Sequence, residues 1–286
     1  MTTETVVPES ASKRASGPAR PAQDREQRRE RLLDLAKLWG IRIAIVVVFC
    51  SAWQFASGRL LPVFIISSPT TVVERFGQFM EGGKLLSHLS YTMQACGLGF
   101  AIGALVGSTL GLLFGIYEST SRVIAPFAAM LYSMPKIMLS PLIVVWVGVD
   151  LTMKVFVAAF SCMWVIFYNV WNATRRIDHN LLDQMRLMGA NQRQIITGLY
   201  LPSATTWLLT SLRVAFPVAL IGAVVGEFVA SSQGLGHLAL DSGQRYDSAG
   251  VLVAVLTITV TAMTIDSVLG AIQRKVALWQ GEGARG

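Results

Sequence analysis

Six long apolar runs restrict the fold of this 286-residue chain more than any other feature. About 20 mostly apolar residues cross the hydrocarbon core of a bilayer as a helix. Charged residues make up 14% of the chain, well below the roughly 25% of ordinary soluble domains. The sequence therefore predicts an all-α, polytopic membrane protein. The six predicted transmembrane helices are 39–56, 93–117, 123–147, 154–171, 207–229 and 250–272.

Basic residues divide unevenly between the two sides of this predicted bundle. With both chain ends placed inside, 17 of the 24 lysines and arginines fall on the inner side and five on the outer side, where Lys154 is counted. Cytoplasmic loops of membrane proteins carry this excess. The distribution predicts that both termini are cytosolic, together with a polar stretch, residues 178–202, which we call the polar segment.

The apolar runs also predict the organisation of the chain. Residues 1–37 are polar and rich in Arg, Pro, Ser and Ala, which is typical of a disordered cytosolic tail. We interpret the basic residues as an orientation signal and not as a nucleic-acid site. The remaining parts are a first span, an external loop with a short helix, a core of five spans and a second cytosolic tail. Their bounds are 38–57, 58–91, 92–273 (with a cytosolic loop at 172–205) and 274–286.

The polar segment combines charge with a helical period. Four apolar residues recur at spacings that line one helix face: Leu181, Leu182, Met185 and Met188. Gly189 stands where that helix would end, and a second amphipathic stretch ends before Pro202. A pair of short amphipathic helices at the mouth of a membrane bundle predicts a docking element for another protein.

The second predicted span carries a stripe of five glycines at intervals of four residues. They are Gly99, Gly103, Gly107, Gly111 and Gly115. Such a stripe lets another helix approach closely, because helix packing in lipid depends on van der Waals contact. We interpret it as a helix-packing surface, within the chain or across a dimer, with a place along the solute path as the alternative.

The third predicted span is interrupted by Pro135 and Pro141. Irregular backbone at membrane depth is tolerated only where it is buried or lines a wet cavity. Lys136 lies at the break, and a lysine there needs water or a partner. The pattern predicts that Pro135, Lys136 and Pro141 lie near a translocation path, with a snorkelling lysine as the alternative.

Three further charges lie in the last two predicted spans. Arg213 is near the inner end of its span, close enough to the interface to snorkel. Glu227 is near the outer end, where it would either brace the Ser-Ser-Gln-Gly-Leu-Gly stretch that follows or face the translocation path. Asp266 is interpreted as a hydrogen-bond partner between helices.

Sequence signatures of catalysis are missing from the chain. It contains no GxxxxGK[ST] phosphate loop, no HExxH and no GxSxG, and its three histidines fall in predicted loops. The sequence therefore predicts a protein that is not an enzyme and that binds no metal or cofactor. Transport driven by ATP would need a separate ATPase.

The polar segment resembles the EAA…GA…LP…LR signature of membrane subunits of bacterial ABC importers. The matching positions are Asp183, Gln184, Met185, Gly189, Ala190, Leu201, Pro202, Leu212 and Arg213. The resemblance covers about residues 85–280 and is to the branch that serves nitrate, sulfonates and taurine. Aspartate replaces the glutamate of the signature, and Gln184 and Met185 replace its two alanines. The bulk of Met185 predicts a different fit to the partner.

The resemblance implies a catalytically inert permease subunit in a bacterial plasma membrane. The polar segment would form a coupling helix that docks on a cytosolic ATPase subunit, with Pro202 separating it from the fifth span. Two ATPase subunits, which bind the ATP, a second copy of the permease and an external solute-binding protein would complete the importer. The solute would be a sulfonate, taurine, nitrate or a similar small anion.

An ion-coupled secondary transporter is the alternative interpretation. Its coupling charges would be Lys136, Asp150, Glu227 and Asp266. Such transporters often have paired repeats with matching broken helices, and only the third predicted span is clearly broken. Uptake by vesicles that hold an ion gradient but no ATP would distinguish the two classes.

Overall fold

The computed structural model describes residues 20–59, 62 and 65–279, and every secondary-structure element in them is helical. The predicted all-α membrane fold is confirmed. The chain comprises two units, Met1–Ala56 and Ser57–Gly286. The α-helices are α1 (Arg20–Ala56), α2 (Pro69–Glu81), α3 (Lys84–Ile116), α4 (Glu118–Ser133), α5 (Ser140–Val147), α6 (Leu151–Arg175), α7 (His179–Leu187), α8 (Gln192–Ile195), α9 (Leu201–Val229), α10 (Leu235–Gln244) and α11 (Ser248–Trp279).

Helix α1 belongs to the first unit and begins earlier than expected. The sequence predicted a disordered tail to residue 37, but the chain is helical from Arg20. Arg, Glu, Gln and Leu dominate this stretch, and their unbranched or γ-branched side chains lose little freedom in a helix. Residues 1–19 of the predicted tail, and 280–286 of the C-terminal one, lie outside the described residues.

Among the described residues, five helical stretches are long and apolar enough to cross a bilayer. They are Lys37–Ala56, Lys84–Ile116, Leu151–Arg175, Trp207–Val229 and Ser248–Lys275. The third of the six predicted spans is divided between two shorter helices. Helix α4 ends at Ser133, a 3₁₀ turn occupies Lys136–Leu139, and α5 follows. Met134 is extended, with ψ 134°, because the ring of a following proline disfavours the helical conformation.

The core of the second unit is built on the contact between α3 and α6. All five glycines of the α3 stripe are buried. A methyl group added at Gly103 would lie 2.7 Å from the Ala159 carbonyl oxygen, and one added at Gly111 would lie 2.8 Å from that of Phe167. The stripe therefore faces α6 of the same chain, and the two backbones approach as closely as glycine permits.

Helix α9 joins α3 and α6 in the same core. Ala215, Ala219 and Ala223 of α9 are fully buried in a cluster with residues of both helices. The rings of Phe100 on α3 and Phe216 on α9 meet edge to face, with centroids 5.5 Å apart. These three helices form a packed bundle that carries the polar segment.

A polar contact joins α2 to the turn between α10 and α11. The Arg75 guanidinium donates from Nε to the Asp247 carboxylate at 2.8 Å, and the same carboxylate accepts the Gly250 N–H at 3.0 Å. Tyr246, in this turn, is the one non-glycine residue with positive φ (+57°) in the described part of the chain, and its side chain is exposed. The charge distribution predicts that this end faces outward.

Candidate functional site

The first half of the polar segment is helix α7. The Asp178 carboxylate caps its start by accepting the Asn180 N–H at 2.8 Å. Asp183 lies 3.6 Å from Arg186 one turn later, and both side chains are mostly exposed. An exposed ion pair of this kind contributes little to stability. The charges of α7 are therefore accessible to a partner, as is the exposed amide of Gln184.

A tight reversal ends α7. The Gly189 N–H donates to the Arg186 carbonyl and the Ala190 N–H to the Met185 carbonyl, both at 3.0 Å. This pair of bonds needs a left-handed residue after the helix. Gly189 has φ +80°, a conformation that glycine adopts without steric cost. The left-handed conformation at this turn therefore explains why position 189 is a glycine.

The second half of the polar segment runs into α9 without a break. Asn191 and Gln194 form a reciprocal capping box that starts α8. A π-helical stretch, Ile196–Tyr200, follows, and the Leu201 N–H bonds to the carbonyl five residues earlier. The expected separation at Pro202 is therefore wrong. Proline has no N–H to continue the α-helical pattern, and a π-helical turn just before it accommodates this loss.

The apolar residues of α7 point in two directions, so the single apolar face predicted from their spacing is wrong. Leu182 is buried and Met185 is half-buried, and both pack with Ile195 and Tyr200 beneath the segment. Three others point outward. Their exposed fractions are 47% for Leu181, 88% for Leu187 and 80% for Met188. We call the last two, Leu187 and Met188, the apolar tip.

Met185 is accommodated by the chain itself. Its terminal methyl carbon lies 3.6 Å from the position that a Cβ at Gly198 would occupy. The bulk that distinguishes Met185 from the alanine of the signature is thus taken up between α7 and the π-helical stretch. Ala190 packs half-buried against the same cluster, whereas Leu201 is half exposed at the start of α9.

Arg213 is bound to Asp266. Its guanidinium donates from Nε and Nη2 to the two carboxylate oxygens, each at 2.8 Å. A Cβ at Gly270 would lie 3.2 Å from the guanidinium carbon, so this glycine makes room for the pair. Two parallel hydrogen bonds fix the geometry of the contact. Arg213 thus ties α9 to α11 near the polar segment's end of the bundle.

Lys136 closes the break in the third predicted span. Its ammonium donates to the Tyr132 carbonyl at 2.7 Å and to the Met134 carbonyl at 3.3 Å. These carbonyls lie at the end of α4, where the last C=O groups of a helix have no N–H donor within the helix. Pro135 precedes Lys136, and Pro141 lies in the first turn of α5. The same ammonium lies 5.6 Å from the centre of the Tyr132 ring.

Glu227 is fully buried and holds the turn that follows α9. Its carboxylate accepts the Thr92 hydroxyl at 2.8 Å and the Gly236 N–H at 2.7 Å. The Leu235 N–H in turn donates to the Thr92 hydroxyl oxygen at 2.8 Å. A Cβ at Gly234 or Gly236 would collide with the Glu227 side chain. Two roles were considered for Glu227, bracing the stretch after α9 and facing the translocation path. These contacts correspond to the first.

Thr92 was not identified from the sequence. A threonine just before a predicted apolar span gives no sign of a partner 135 residues away. The Gly-Leu-Gly stretch was the available signal, because closely spaced glycines indicate a close approach by another group.

Three other polar side chains form contacts that the sequence did not predict. Lys154, counted on the outer side, is a buried residue of α6 whose ammonium donates to the Val149 carbonyl. His88 and His237, assigned to loops, lie on α3 and α10 with ring centroids 6.2 Å apart. His88 Nδ1 accepts the Gly234 N–H at 3.0 Å. These contacts belong to the same end of the bundle as Glu227.

Comparison with known proteins decides the family. Residues 99–278 match the family described as binding-protein-dependent transport system inner membrane component. The chain belongs to this family. The resemblance to permease subunits of ABC importers of the sulfonate, nitrate and taurine branch is confirmed, as is a multi-pass location in a bacterial plasma membrane.

Two curated relatives align over most of this permease. It is 27% identical over 243 residues to the putative aliphatic sulfonates transport permease protein SsuC of Bacillus subtilis, covering 85% of this chain and 88% of that one. It is 31% identical over 240 residues to the riboflavin transport system permease protein RibX of Chloroflexus aurantiacus, covering 84% and 89%.

The inward-facing MetNI methionine ABC transporter shares the fold. The TM-score is 0.58 at 21% identity, and the match covers 65% of this permease and 93% of that chain.

Proposed function

We propose that this permease is the catalytically inert, solute-conducting subunit of an ABC importer, and that its polar segment receives the motion of a cytosolic ATPase. The observation that carries this proposal is the apolar tip. Leu187 and Met188 are 88% and 80% exposed at the C-terminal end of α7. A short helix that presents apolar side chains to a groove is a common mode of protein recognition.

The route from the apolar tip to the spans is continuous. Leu182 and Met185 of α7 pack against Ile195 and Tyr200, and Tyr200 leads directly into α9. A displacement of α7 would therefore act on α9 through packed side chains and helical backbone. Alternating access follows if the ATPase favours different α9 positions with and without ATP.

The proposed assembly contains two copies of this permease, two ATPase subunits that bind the ATP, and an external solute-binding protein. The family description names binding-protein-dependent transport, which supports the last of these. Membership of this family also favours ATP-driven import over the ion-coupled alternative.

For the solute, we propose a small organic anion of the sulfonate type. The sulfonate permease relative supports this class, and the ammonium of Lys136 at the broken span is a candidate donor to it. A flat heterocycle is the second candidate, because the riboflavin permease relative is 31% identical. Uptake of labelled taurine and of labelled riboflavin by cells with and without the gene would choose between them.

Replacing both tip residues by aspartate tests the docking step. Leu187→Asp with Met188→Asp should abolish co-purification of the ATPase and solute-stimulated ATP hydrolysis in proteoliposomes, while membrane insertion is unchanged. The control is Leu187→Met with Met188→Leu, which keeps the tip apolar and should keep both activities. Normal ATPase binding by the aspartate variant would contradict the proposal.

A further inference from the structure

A cavity of about 470 Å³ lies behind the polar segment, where α3 and α6 end. Thr120, Arg175, Arg186, Gln192 and Tyr200 line it with side chains that can donate hydrogen bonds, and the lining residues that the structure describes include no acidic one. The volume is in the range of about 300–1,000 Å³ found for small-molecule sites. The cavity therefore offers positive charge and hydrogen-bond donors from several helices.

The two arginines of the cavity have unused donors. The Arg175 guanidinium lies 5.2 Å above the centre of the Trp171 ring, and within the described part of the chain no carboxylate pairs with it. Arg186 has the loose contact with Asp183 at 3.6 Å. A guanidinium presents five N–H donors in a plane that matches phosphate and carboxylate oxygens.

Tyr200 adds a phenol to the wall of the same cavity. The residue as a whole is 8% exposed, and a phenolic hydroxyl can donate a hydrogen bond. Tyr200 is therefore a further candidate donor to a bound anion.

We propose that this cavity binds a phosphate group, contributed either by an anionic phospholipid of the inner leaflet or by a soluble phosphate ester. Arginine pairs and hydroxyls are the donors that phosphate oxygens prefer. The cavity lies at the ends of two membrane-crossing helices, which is the level of lipid headgroups, and basic pockets between such helices on the cytosolic side bind anionic headgroups.

A bound phosphate would connect the polar segment to the bundle. Arg175 is the last residue of α6, whereas Arg186 belongs to α7. One anion held by both guanidinium groups would restrain α7 relative to α6. Occupancy would then regulate how freely the polar segment moves, which is a property beyond the docking proposed above.

Binding to the purified full-length permease tests this inference without any ATPase. The protein is placed in phosphatidylcholine nanodiscs, and retention of added dioleoyl phosphatidylglycerol is counted by native mass spectrometry. Thermal unfolding with glycerol 3-phosphate tests the soluble source. The variants are Arg175→Gln with Arg186→Gln, and Tyr200→Phe. The matched control is Arg176→Gln with Arg193→Gln, which removes the same charge from exposed positions outside the cavity.

The wild-type protein should retain phosphatidylglycerol over phosphatidylcholine, be stabilised by glycerol 3-phosphate, or both. The Arg175/Arg186 variant should lose at least about tenfold in affinity, since a hydrogen bond to a charged group contributes enough for one such factor. Tyr200→Phe should lose less, and the control should bind normally. Selective lipid retention identifies a headgroup, and stabilisation by the soluble ester alone identifies a free phosphate. Equal losses in the control and cavity variants, or no preference for either probe, would overturn the proposal.

Discussion

The bundle of α3, α6 and α9 and the polar segment are stabilised in different ways. In the bundle, glycine and alanine allow the helix backbones to approach closely. The buried carboxylate of Glu227 accepts hydrogen bonds from Thr92 and Gly236. The polar segment has caps at its helix ends, an exposed ion pair and a small apolar cluster around Leu182. Its most apolar surface, the tip, points away from the chain.

This difference separates rigidity from recognition. A close-packed interior resists deformation because its side chains have no alternative positions. A segment held by few buried contacts opens or shifts at lower free energy. The bundle therefore has the character of a rigid body, and the polar segment that of a part moved from outside. Substitutions in the bundle should mainly change stability, whereas those in the polar segment should mainly change coupling.

The largest loss of stability is expected from Glu227→Ala. This change leaves the Gly236 N–H without its acceptor in a buried place and the Thr92 hydroxyl with only the longer bond to the His88 carbonyl at 3.2 Å, which should cost about 3 kcal/mol. Glu227→Gln keeps one acceptor oxygen and should lose less. Thermal unfolding of the purified protein measures both variants. Glu74→Ala, at an exposed position on α2, is the control and should unfold like the wild type. A Glu227→Ala protein as stable as this control would show that the carboxylate does not brace the turn.

A second test compares two glycines on α3. Gly103→Ala places a methyl group 2.7 Å from the Ala159 carbonyl oxygen, whereas nothing lies within 4 Å of one at Gly97. Overpacking should cost about 2 kcal/mol at Gly103, and Gly97→Ala should be neutral or stabilising by up to about 1 kcal/mol because alanine favours helix. Thermal unfolding again supplies the measurement. Equal effects at the two positions would mean that the stripe does not determine the approach of α6.

Much of the fold could be predicted from local sequence patterns. The apolar runs predicted the spans, Pro135 predicted the break after α4, and the interval of four predicted that the glycines share one face of α3. Each of these features depends on residues near one another in the chain. The family signature is also a local pattern, because all its positions lie within a single stretch of 31 residues.

Contacts between distant residues could not be predicted in the same way. The period of α7 does not reveal that Leu182 faces inward while Leu187 faces outward, since this depends on where Ile195 and Tyr200 lie. Lys154 was counted on the outer side as the first residue of a predicted span, and its burial depends on α9, where a Cβ at Gly226 would lie 3.3 Å from the Lys154 side chain. The donors that bond to the Glu227 carboxylate, the Thr92 hydroxyl and the Gly236 N–H, are similarly set by tertiary packing.

The smallest effect on stability, with the largest relative effect on function, is expected at Gly189. Its φ of +80° costs alanine about 1 kcal/mol and is tolerated better by asparagine. Gly189→Ala should therefore lower the unfolding temperature slightly but reduce solute-stimulated ATP hydrolysis clearly, because the apolar tip immediately precedes the turn. Gly189→Asn should recover most of that activity. Gly198→Ala is the control, since its methyl group would meet Met185 at an ordinary 3.6 Å. If Gly189→Ala reduced stability and activity in the same proportion as bundle variants do, the polar segment would be one more part of the rigid body.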